Sequence, residues 1–553
     1  MTMLSTDLDD PSAIPYLLCL AIISKHALLK YMKPKIRSGF VILAIAIVSF
    51  AGVAQAQVLS SSEIDALVER SIKAFDVPGI SVGVIKDGKV VYAKGHGVRS
   101  LNTNAKMDEN TLVGIASNSK AFTTVALGIL VDEGKIKWDD RVQDYIPEFK
   151  LYSPYVSENF TIKDLLTHRS GLGLGAGDLM FFPDGSDFTI KDIIHNLRYL
   201  KQVSQFRTKY DYDNNLYIVA GEVIARVSGR SWPEFVEERI MRPLGMASSA
   251  GLFERLKDKS NTIDGHASVE GKVQVIQRSM VRVPAAAGGV NSNITDLLKW
   301  VEMFLSGGKY DKDKRLVSEK SLKEIWSPQT IIQVNSPGPY NTHFAAYGLG
   351  FFLSDVNGYK QVTHTGGLEG MVTQITMIPE LKLGIIVLTN QQEGGAFRSI
   401  TNQILDGYFG KTGRDWVTDL SAARQKALAE AKAVTDKVAA EVAKAKASGG
   451  ITLDPTAVAG RYSDAWFGEI SLDLKDGKLR FASKRSPRLT GEMYPYKANS
   501  FIVRWDDRSM DADAFVNFQL DVEGRPQGFT MKAISPLTDF SYDFHDLEFH
   551  RSL

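Results

Sequence analysis

Three short polar segments, far apart along the chain, constrain its fold more than any other feature. They are Ser117-Asn118-Ser119-Lys120, Tyr212-Asp213-Asn214 and His364-Thr365-Gly366-Gly367. Taken singly, each has an ordinary explanation: a helix cap with a surface lysine, an Asn/Asp loop, and a turn that enters a strand. Their order and their separations fit one domain, so we expect a fold that brings all three to one place.

The first segment has the chemistry of a nucleophile with its base. A serine hydroxyl is a weak nucleophile at neutral pH and needs a base beside it. Residues three apart share one face of a helix, so Ser117 and Lys120 are predicted to lie side by side. Burial lowers the pKa of a lysine because desolvation disfavours the ammonium, and a neutral amine can accept the serine proton. The apolar stripe that follows favours burial of Lys120.

The other two segments supply groups that can support such a reaction. Tyr212 can relay a proton to the leaving group if a neighbour such as Lys120 depresses its pKa. Asn214 can hold Lys120 and donate to a substrate carbonyl. The glycines after His364 let a substrate backbone lie close, and the Gly367 N–H is a candidate second oxyanion donor.

Composition excludes several classes of protein. An apolar content of 44% and a charged content of 23% are typical of a soluble globular protein. A length of 553 residues exceeds one ordinary core, which predicts two or more domains. The formal net charge of +1 argues against a nucleic-acid or anionic-membrane partner. The nine histidines lack a metal-ligand spacing such as H-E-x-x-H, so no metal and no cofactor are predicted.

Residues 1–56 are predicted to be a signal segment. Met32 to Arg37 is basic, Phe40 to Val53 is apolar, and Ala54 to Ala56 is an A-x-A cleavage site. The apolar run is short for the alternative, a membrane-spanning helix. Met32 is itself an alternative start. Cleavage near Ala56 predicts a periplasmic or secreted bacterial protein, and since Cys19 is the one cysteine, the mature chain would form no disulfide.

The remaining chain divides into three predicted zones. Residues 57–415 have mixed α/β patterns, residues 416–450 form an Ala-, Lys- and Glu-rich helical linker exposed to solvent, and residues 451–553 form a small all-β domain, a barrel or a sandwich. A hairpin is predicted over Ile80–Gly95. Predicted helices cover Ala116–Gly134, Thr161–Thr167, Tyr217–Val227, Trp232–Ile240 and Asn293–Leu305. Predicted strands include Val372–Met377, Gly384–Leu388, Glu469–Leu474, Lys478–Phe481, Phe501–Trp505 and Ala514–Leu520.

The three polar segments correspond to S-x-x-K, Y-x-N and H-x-G, and with them the zone from residue 57 to about 413 resembles the serine β-lactamase and penicillin-binding-protein superfamily. The resemblance is to its class C and esterase/D-peptidase branch. Supporting stretches are Leu165–Leu172, Arg242–Met246, Pro284–Val290 and Tyr347–Phe351. The resemblance implies an α/β (α+β) catalytic domain, with an antiparallel sheet flanked by helices plus an all-α subdomain. The C-terminal zone, with Leu489–Gly491 and Asp539–Phe544, resembles the small β domain often fused there, which is lipocalin-like in some members.

The resemblance also implies an acyl-enzyme mechanism. Ser117 would attack a carbonyl while Lys120 and Tyr212 move its proton. The N–H groups of Ser117 and Gly367 would hold the oxyanion, and Asn214 and His364 would position the substrate. Dedicated β-lactamases and D,D-peptidases of this fold usually have K-T-G, whereas His364 is mostly neutral at pH 7. Weaker recognition of a substrate carboxylate is therefore expected, which favours peptide or ester cleavage over efficient penicillin hydrolysis.

The function predicted from the sequence is that of an exported serine hydrolase. The resemblance implies that it cleaves amide bonds of small linear peptides, D-Ala-containing peptides such as linearised microcystin among them. An esterase on short acyl esters is an alternative. A penicillin-binding sensor, a weak β-lactamase and a protein that binds a ligand through its C-terminal domain are further alternatives. The β domain is predicted to shield the active site or to mediate assembly into a homo-oligomer.

Overall fold

The computed structural model describes residues 58–448 and 453–552, so the predicted signal segment lies outside it. In these two ranges, every helix is too short or too polar to cross a membrane. Leu59–Asp406 and the chain from Gly413 onward form one compact unit. This unit holds both the predicted hydrolase domain and the predicted β domain, so contacts between them are part of one structure.

An antiparallel sheet of eight strands organises the first domain. The strands of this domain are β1 (Gly79–Lys86), β2 (Lys89–Gly97), β3 (Val113–Gly114), β4 (His266–Val269), β5 (Lys272–Val275), β6 (Asn291–Ser292), β7 (Thr330–Ile332), β8 (Ala345–Tyr347), β9 (Phe352–Val356), β10 (Tyr359–Leu368), β11 (Met371–Ile378) and β12 (Leu383–Thr389). The order in the large sheet is β2-β1-β12-β11-β10-β9-β8-β7. The N-terminal hairpin therefore pairs with the last strand, which closes the domain on itself.

Helices cover both faces of this sheet. The α-helices of this domain are α1 (Ser61–Phe75), α2 (Ser119–Asp132), α3 (Pro154–Asn159), α4 (Ile190–Asn196), α5 (Asn215–Ser228), α6 (Trp232–Val236), α7 (Ala285–Gly288), α8 (Ile294–Leu305), α9 (Glu319–Ile325) and α10 (Gly394–Phe409). Tyr92 of β2 donates to Asp65 of α1 at 2.6 Å. On the opposite face, Gly83 of β1 leaves room for Ile294 of α8, which lies 2.7 Å from where a Cβ would stand. Successive strand residues alternate between faces, so α1 and α8 lie on opposite sides.

Helix α2 carries the first polar segment into the core. All residues from Ser119 to Leu130 are buried. Its Phe122 ring stacks on Trp300 of α8, with the ring centroids 4.0 Å apart. Because this helix is surrounded on every side, water cannot solvate a charged group in its first turn. The fold itself therefore desolvates Lys120.

Most predicted elements are confirmed, and the corrections are local. The β1–β2 hairpin, helices α5 and α8 and the paired strands β11 and β12 lie where the patterns place them. The helix predicted over Thr161–Thr167 is wrong, since only Asp164–Leu166 forms a short 3₁₀ turn. The Asp164 carboxylate accepts from the Thr161 backbone and side chain and from Arg207, which stabilises a turn in place of a helix. Beyond α6 the chain continues as a π-helix over Glu237–Met241.

The predicted linker is a long helix, α11 (Trp416–Ser448), followed by a short helix, α12 (Pro455–Val458). Most of the side chains described in α11 are exposed, as expected of a solvated helix, but the helix also makes contacts that a free spacer would not make. Near its start, Arg424 pairs with Glu393 at 2.6 Å. Further along, Val438 is buried against Ile502 and Ile534 of the C-terminal domain. Helix α11 therefore packs against both domains.

The C-terminal domain is a closed antiparallel barrel of eight strands. The strands are β13 (Gly460–Asp464), β14 (Gly468–Lys475), β15 (Lys478–Ser483), β16 (Thr490–Lys497), β17 (Ser500–Trp505), β18 (Ala514–Leu520), β19 (Pro526–Ala533) and β20 (Glu548–Arg551). Closure comes from pairing of β13 with β20. Buried aromatic rings contact one another inside, including Phe481 with Trp505 and Phe529 with Phe549. An eight-stranded barrel is just wide enough for side chains to fill, and these side chains occupy its interior.

Candidate active site

Ser117 lies in a sharp turn at the start of α2. The sequence predicts a regular helix from Ala116, but residues Ala116–Asn118 form a single 3₁₀ turn, and Ala116 has a φ of 50°, in the left-handed region. Such a conformation is costly for a residue with a side chain and is held by the surrounding structure. Strand β10 presses directly on this turn: a methyl group on Gly366 would lie 2.2 Å from the Ile115 carbonyl oxygen. Gly366 thus lets β10 pass beside Ser117.

The Lys120 ammonium is fully buried beside Ser117. Its Nζ lies 3.1 Å from Ser117 Oγ, 2.7 Å from Asn214 Oδ1 and 3.1 Å from the Ala287 carbonyl oxygen. Desolvation lowers the Lys120 pKa to about 7, although the carboxyl groups of Asp178 and Asp213 oppose that shift. The structure therefore places a group that can accept a proton near neutral pH within hydrogen-bond distance of the serine.

Tyr212 also lies at Ser117. The two side chains share a hydrogen bond, and Lys120 Nζ is 4.8 Å from the centre of the tyrosine ring. The expectation that Lys120 depresses the Tyr212 pKa is wrong. Burial raises that pKa well above the usual value, and the bond with Ser117 only partly opposes the shift. Tyr212 is therefore present as a neutral phenol with an O–H available for proton transfer.

Asn214 connects Lys120 to a buried carboxyl group. Its Oδ1 accepts from Lys120, and its Nδ2 donates to Asp178 Oδ2 at 2.8 Å. These two bonds fix the orientation of the amide. One of its two N–H groups is thereby committed to Asp178, and donation by Asn214 to a substrate carbonyl stays a prediction.

His364 is buried and neutral. Desolvation and the nearby Lys120 charge lower its pKa to about 3. Its Nδ1–H donates to the Thr365 carbonyl oxygen at 2.6 Å, and its Nε2 accepts from the Tyr347 hydroxyl at 2.9 Å. Both ring nitrogens are used within the protein. Substrate positioning by His364 stays a prediction, and it requires one of these bonds to open.

Comparison with known proteins identifies the family. Residues 64–408, more than half of the chain, match the Beta-lactamase family. The chain belongs to this family. Residues 452–551, which include the barrel, match a domain of unknown function, DUF3471.

Two curated relatives illustrate the similarity of this β-lactamase family chain. An "Unguisins hydrolase" of Aspergillus campestris is 30% identical over 334 residues, which are 59% of this chain and 60% of the relative. Another of Aspergillus violaceofuscus is 28% identical over 74% of this chain and 76% of its own length. The chain thus spans well under the full length of these relatives.

Among solved structures, the octameric penicillin-binding protein homologue from Pyrococcus abyssi is similar in fold. It aligns with a TM-score of 0.57 and 22% identity, over 89% of this chain and 100% of that chain. Such a likeness supports a β-lactamase-like α/β domain with an antiparallel sheet and helices, followed by an eight-stranded antiparallel barrel. The predicted fold class is confirmed.

The sequence singled out no role for His168, yet its ring lies at the centre of the site. The ring centre is 4.2 Å from that of Tyr212 and 4.5 Å from that of Tyr347. Its Nδ1 accepts the Asp213 N–H at 3.0 Å, and burial holds its pKa well below the usual value. His168 therefore packs against the Tyr212 ring and holds the loop that carries Tyr212. The stretch Leu165–Leu172 signals family membership, but nothing local in it indicates this contact.

A segment of the C-terminal domain, Asp539–Asp543, also reaches the site. The β domain was predicted to shield the active site, but no residue of this segment was predicted to contact it. Ser541 Oγ donates to Asp178 Oδ2 at 2.8 Å. The Asp543 carboxylate accepts the N–H groups of Gly177 and Leu179 at 2.6 and 3.1 Å. This segment therefore stabilises the loop that carries Asp178 through three hydrogen bonds.

A second contact joins the barrel to the other side of the site. Arg488 pairs with Glu369, which lies in the turn between β10 and β11, at 2.7 Å, and both side chains are largely buried. Arg488 also pairs with Asp507 at 2.7 Å. The hairpin that carries Gly366 and Gly367 is thus tied to the C-terminal domain. Over the part of the chain that the structure describes, no three His, Cys, Asp or Glu side chains are placed to hold a metal ion.

Proposed function

We propose that the chain is an exported serine hydrolase that cleaves amide bonds of small linear peptides through an acyl-enzyme on Ser117. The observation that carries this proposal is the buried Lys120 Nζ, 3.1 Å from Ser117 Oγ and with a pKa lowered to about 7. At pH 7 about half of such a lysine is neutral and can act as the base. Ser117 itself is only partly buried, so a substrate can reach it.

The proposed reaction has two steps. Ser117 Oγ attacks the substrate carbonyl and its proton passes to Lys120, while the N–H groups of Ser117 and Gly367 stabilise the oxyanion. A Cβ placed on Gly367 would meet nothing within 4 Å among the described residues, so its backbone borders open space. Tyr212 relays the proton to the departing amine as the C–N bond breaks. Water then attacks the acyl ester and restores the Ser117 hydroxyl.

The substrate class rests on the relatives and on His364. Similarity to the unguisins hydrolases supports a peptide substrate. His364 is neutral because its pKa is lowered to about 3, so the H-x-G segment offers no fixed positive charge to a substrate carboxylate. The missing charge disfavours penicillins, and the substrates that we propose in their place are linear peptides with D-Ala bonds, linearised microcystin among them.

A fluorophosphonate probe and a panel of D-Ala and L-Ala peptides test this proposal. Mass spectrometry is expected to find the adduct on Ser117 and cleavage beside D-Ala. Ser117→Ala should abolish both, whereas Ser463→Ala, at an exposed serine of β13, should change neither. Full hydrolysis by Ser117→Ala would overturn the assignment. An adduct without turnover would instead support a penicillin-binding sensor.

Esterase activity on short acyl esters is the second candidate, and Tyr212 favours it. Burial raises the Tyr212 pKa well above its usual value, which makes it a weak acid for protonating an amine leaving group. An ester has a better leaving group and depends less on that proton. Comparison of kcat/KM on p-nitrophenyl butyrate and on D-Ala amides separates the two candidates, and turnover of esters alone would reverse their order.

Export and self-association complete the proposal. The basic and apolar pattern of residues 32–56 supports export, and cell fractionation with N-terminal sequencing tests it. The octameric state of the Pyrococcus abyssi homologue supports assembly of this chain into a homo-oligomer, for which we propose the C-terminal domain as the interface. Light scattering of the chain with and without residues 451–553 tests that assembly, and an unchanged subunit number would contradict it.

A further inference from the structure

The C-terminal domain places an aromatic ring beside Tyr212. The Phe540 ring lies nearly perpendicular to the Tyr212 ring, with the two centres 5.7 Å apart. Phe540 nevertheless remains 40% exposed. The other aromatic residues of this stretch, Tyr542 and Phe544, are buried, so their surface stabilises the fold. Part of the apolar surface of the Phe540 ring is instead exposed to solvent beside Tyr212, where we expect the substrate to react.

The position of this ring is fixed by its neighbours. Ser541 bonds to Asp178, and Asp543 bonds to the backbone of Gly177 and Leu179. The Phe540 backbone packs on Gly175, where a Cβ would lie 2.8 Å from the Phe540 carbonyl oxygen. Binding of a ligand would therefore cost little ordering of Phe540, and such pre-organisation favours affinity.

Two further apolar side chains are exposed on the adjoining loops of the catalytic domain. Leu174, which directly precedes Gly175, is 45% exposed, and Val203 is 61% exposed. Val203 is held there because its N–H donates to the Gly171 carbonyl oxygen, and its methyl groups lie 3.7 Å from the Cβ position of Gly173. Scattered exposed apolar residues are ordinary, but Leu174 belongs to the stretch from Gly173 to Gly175 and Val203 borders it. In that stretch, the Gly175 N–H donates to the Tyr212 carbonyl oxygen at 2.8 Å.

We propose that Phe540, Leu174 and Val203 form an apolar subsite for the substrate residue on the leaving-group side of the scissile bond. The leaving-group side follows from Tyr212, which contacts Phe540 and delivers the proton to the departing amine. The inference rests on the proposed function. It makes Phe540 a specificity-determining residue that the catalytic domain obtains from the C-terminal domain.

Two peptides that differ only after D-Ala, where one has Leu and the other Ser, test the subsite in the intact chain. One well-placed apolar contact is worth about tenfold or more in specificity. The wild type is therefore expected to favour Leu over Ser by about tenfold in kcat/KM. Phe540→Ala should reduce this ratio to near one, and Phe540→Leu should restore part of it. A ratio unchanged in Phe540→Ala would overturn the proposal.

Leu520→Ala is the matched control. Leu520 has 41% exposure, close to that of Phe540, and ends strand β18 at the turn before β19. The Phe540 segment follows the opposite end of β19, so the control lies at the other end of the barrel. Hexyl acetate against ethyl acetate provides the same test if the enzyme cleaves only esters. Failure of the proposed function, seen as full activity of Ser117→Ala, is thus distinct from failure of the subsite.

Discussion

The hydroxyl of Ser541 donates to Asp178 Oδ2 at 2.8 Å, and the Asn214 amide donates to the same oxygen at 2.8 Å. Asn214 in turn accepts from Lys120 at 2.7 Å. Three hydrogen bonds therefore lead from the C-terminal barrel to the candidate catalytic base. All four side chains in this series of hydrogen bonds are buried. In a buried site a hydrogen bond is strong, and loss of one partner lowers the stability of the site.

Ser541→Ala should lower kcat. Loss of one partner of a buried hydrogen bond costs about 1–3 kcal/mol, which predicts a loss of about tenfold if the orientation of Asn214 depends on Asp178. The Asp178 pKa, which burial raises and the Ser541 bond lowers, should rise further. Less negative charge near Lys120 then moves the acid limb of the pH profile to lower pH. Ser541→Thr should retain activity, and a kcat equal to wild type in Ser541→Ala would contradict the link.

The pH dependence of kcat/KM should show an acid limb near pH 7. Lys120 must be neutral to act as the base, and its pKa is lowered to about 7. Activity should therefore rise through pH 7 with unit slope. An unfolded lysine titrates near 10.4, so between pH 7 and 10.4 the unfolded chain binds more protons at this site and stability due to Lys120 rises with pH.

Asp213→Asn identifies the group responsible for this limb. The Asp213 carboxylate raises the Lys120 pKa, and Asp213 itself titrates at about 7 because burial raises its pKa. If Lys120 is the base, the variant should keep a limb and shift it to lower pH. Disappearance of the limb would assign it to Asp213 instead. His364, with a pKa of about 3, should contribute nothing in this range.

Alanine should lower the thermal stability at Gly366 but leave it unchanged at the adjacent Gly367. A Cβ on Gly366 would lie 2.2 Å from the Ile115 carbonyl oxygen and 2.6 Å from Thr373 Oγ1, whereas one on Gly367 would meet nothing within 4 Å among the described residues. Gly366→Ala should displace the Ser117 turn, lower the thermal midpoint by several degrees and abolish fluorophosphonate labelling. Gly367→Ala should unfold like wild type. Equal thermal midpoints for the two variants would show that β10 can move away from the turn.

Arg488→Met should destabilise the chain more than a surface control. Removal of one partner from a buried ion pair leaves the other charge unpaired, here that of Glu369, and costs about 3–5 kcal/mol. Arg525→Met, at a 69% exposed side chain, should cost about 0–1 kcal/mol. Urea denaturation measures both. Adding Glu369→Leu to Arg488→Met should recover much of the loss, and an Arg488→Met variant as stable as the control would contradict burial of the pair.

Local pattern was sufficient for the main elements and for bringing the candidate catalytic side chains together. Residues Ser117 and Lys120 are close because they follow one another at helical spacing. Tyr212 and Asn214 precede a helix whose apolar spacing is clear. The strands of the barrel alternate between buried and exposed residues, and so they could be predicted individually. These features depend on neighbours along the chain, which a single sequence displays.

Features that depend on distant contacts could not be predicted. His168 contacts Tyr347, and Ser541 contacts Asp178, across gaps that no periodicity covers. Alanine favours a helix, so the sequence predicted one at Ala116. The left-handed conformation found there is imposed by the surrounding structure. The Tyr212 pKa rises because burial outweighs the hydrogen bond with Ser117, and the extent of burial is a property of the assembled site.

Asp178 and Ser541 are 363 residues apart in the chain. A chain made from its N-terminus acquires its proposed nucleophile, base and tyrosine long before the residues that hold Asp178 and border Tyr212. The catalytic domain can therefore begin to fold while its site still lacks one wall. Hydrolytic activity would then appear late in biosynthesis, once the last strands of the barrel have been made. A nascent or prematurely terminated chain would not cleave the peptides around it.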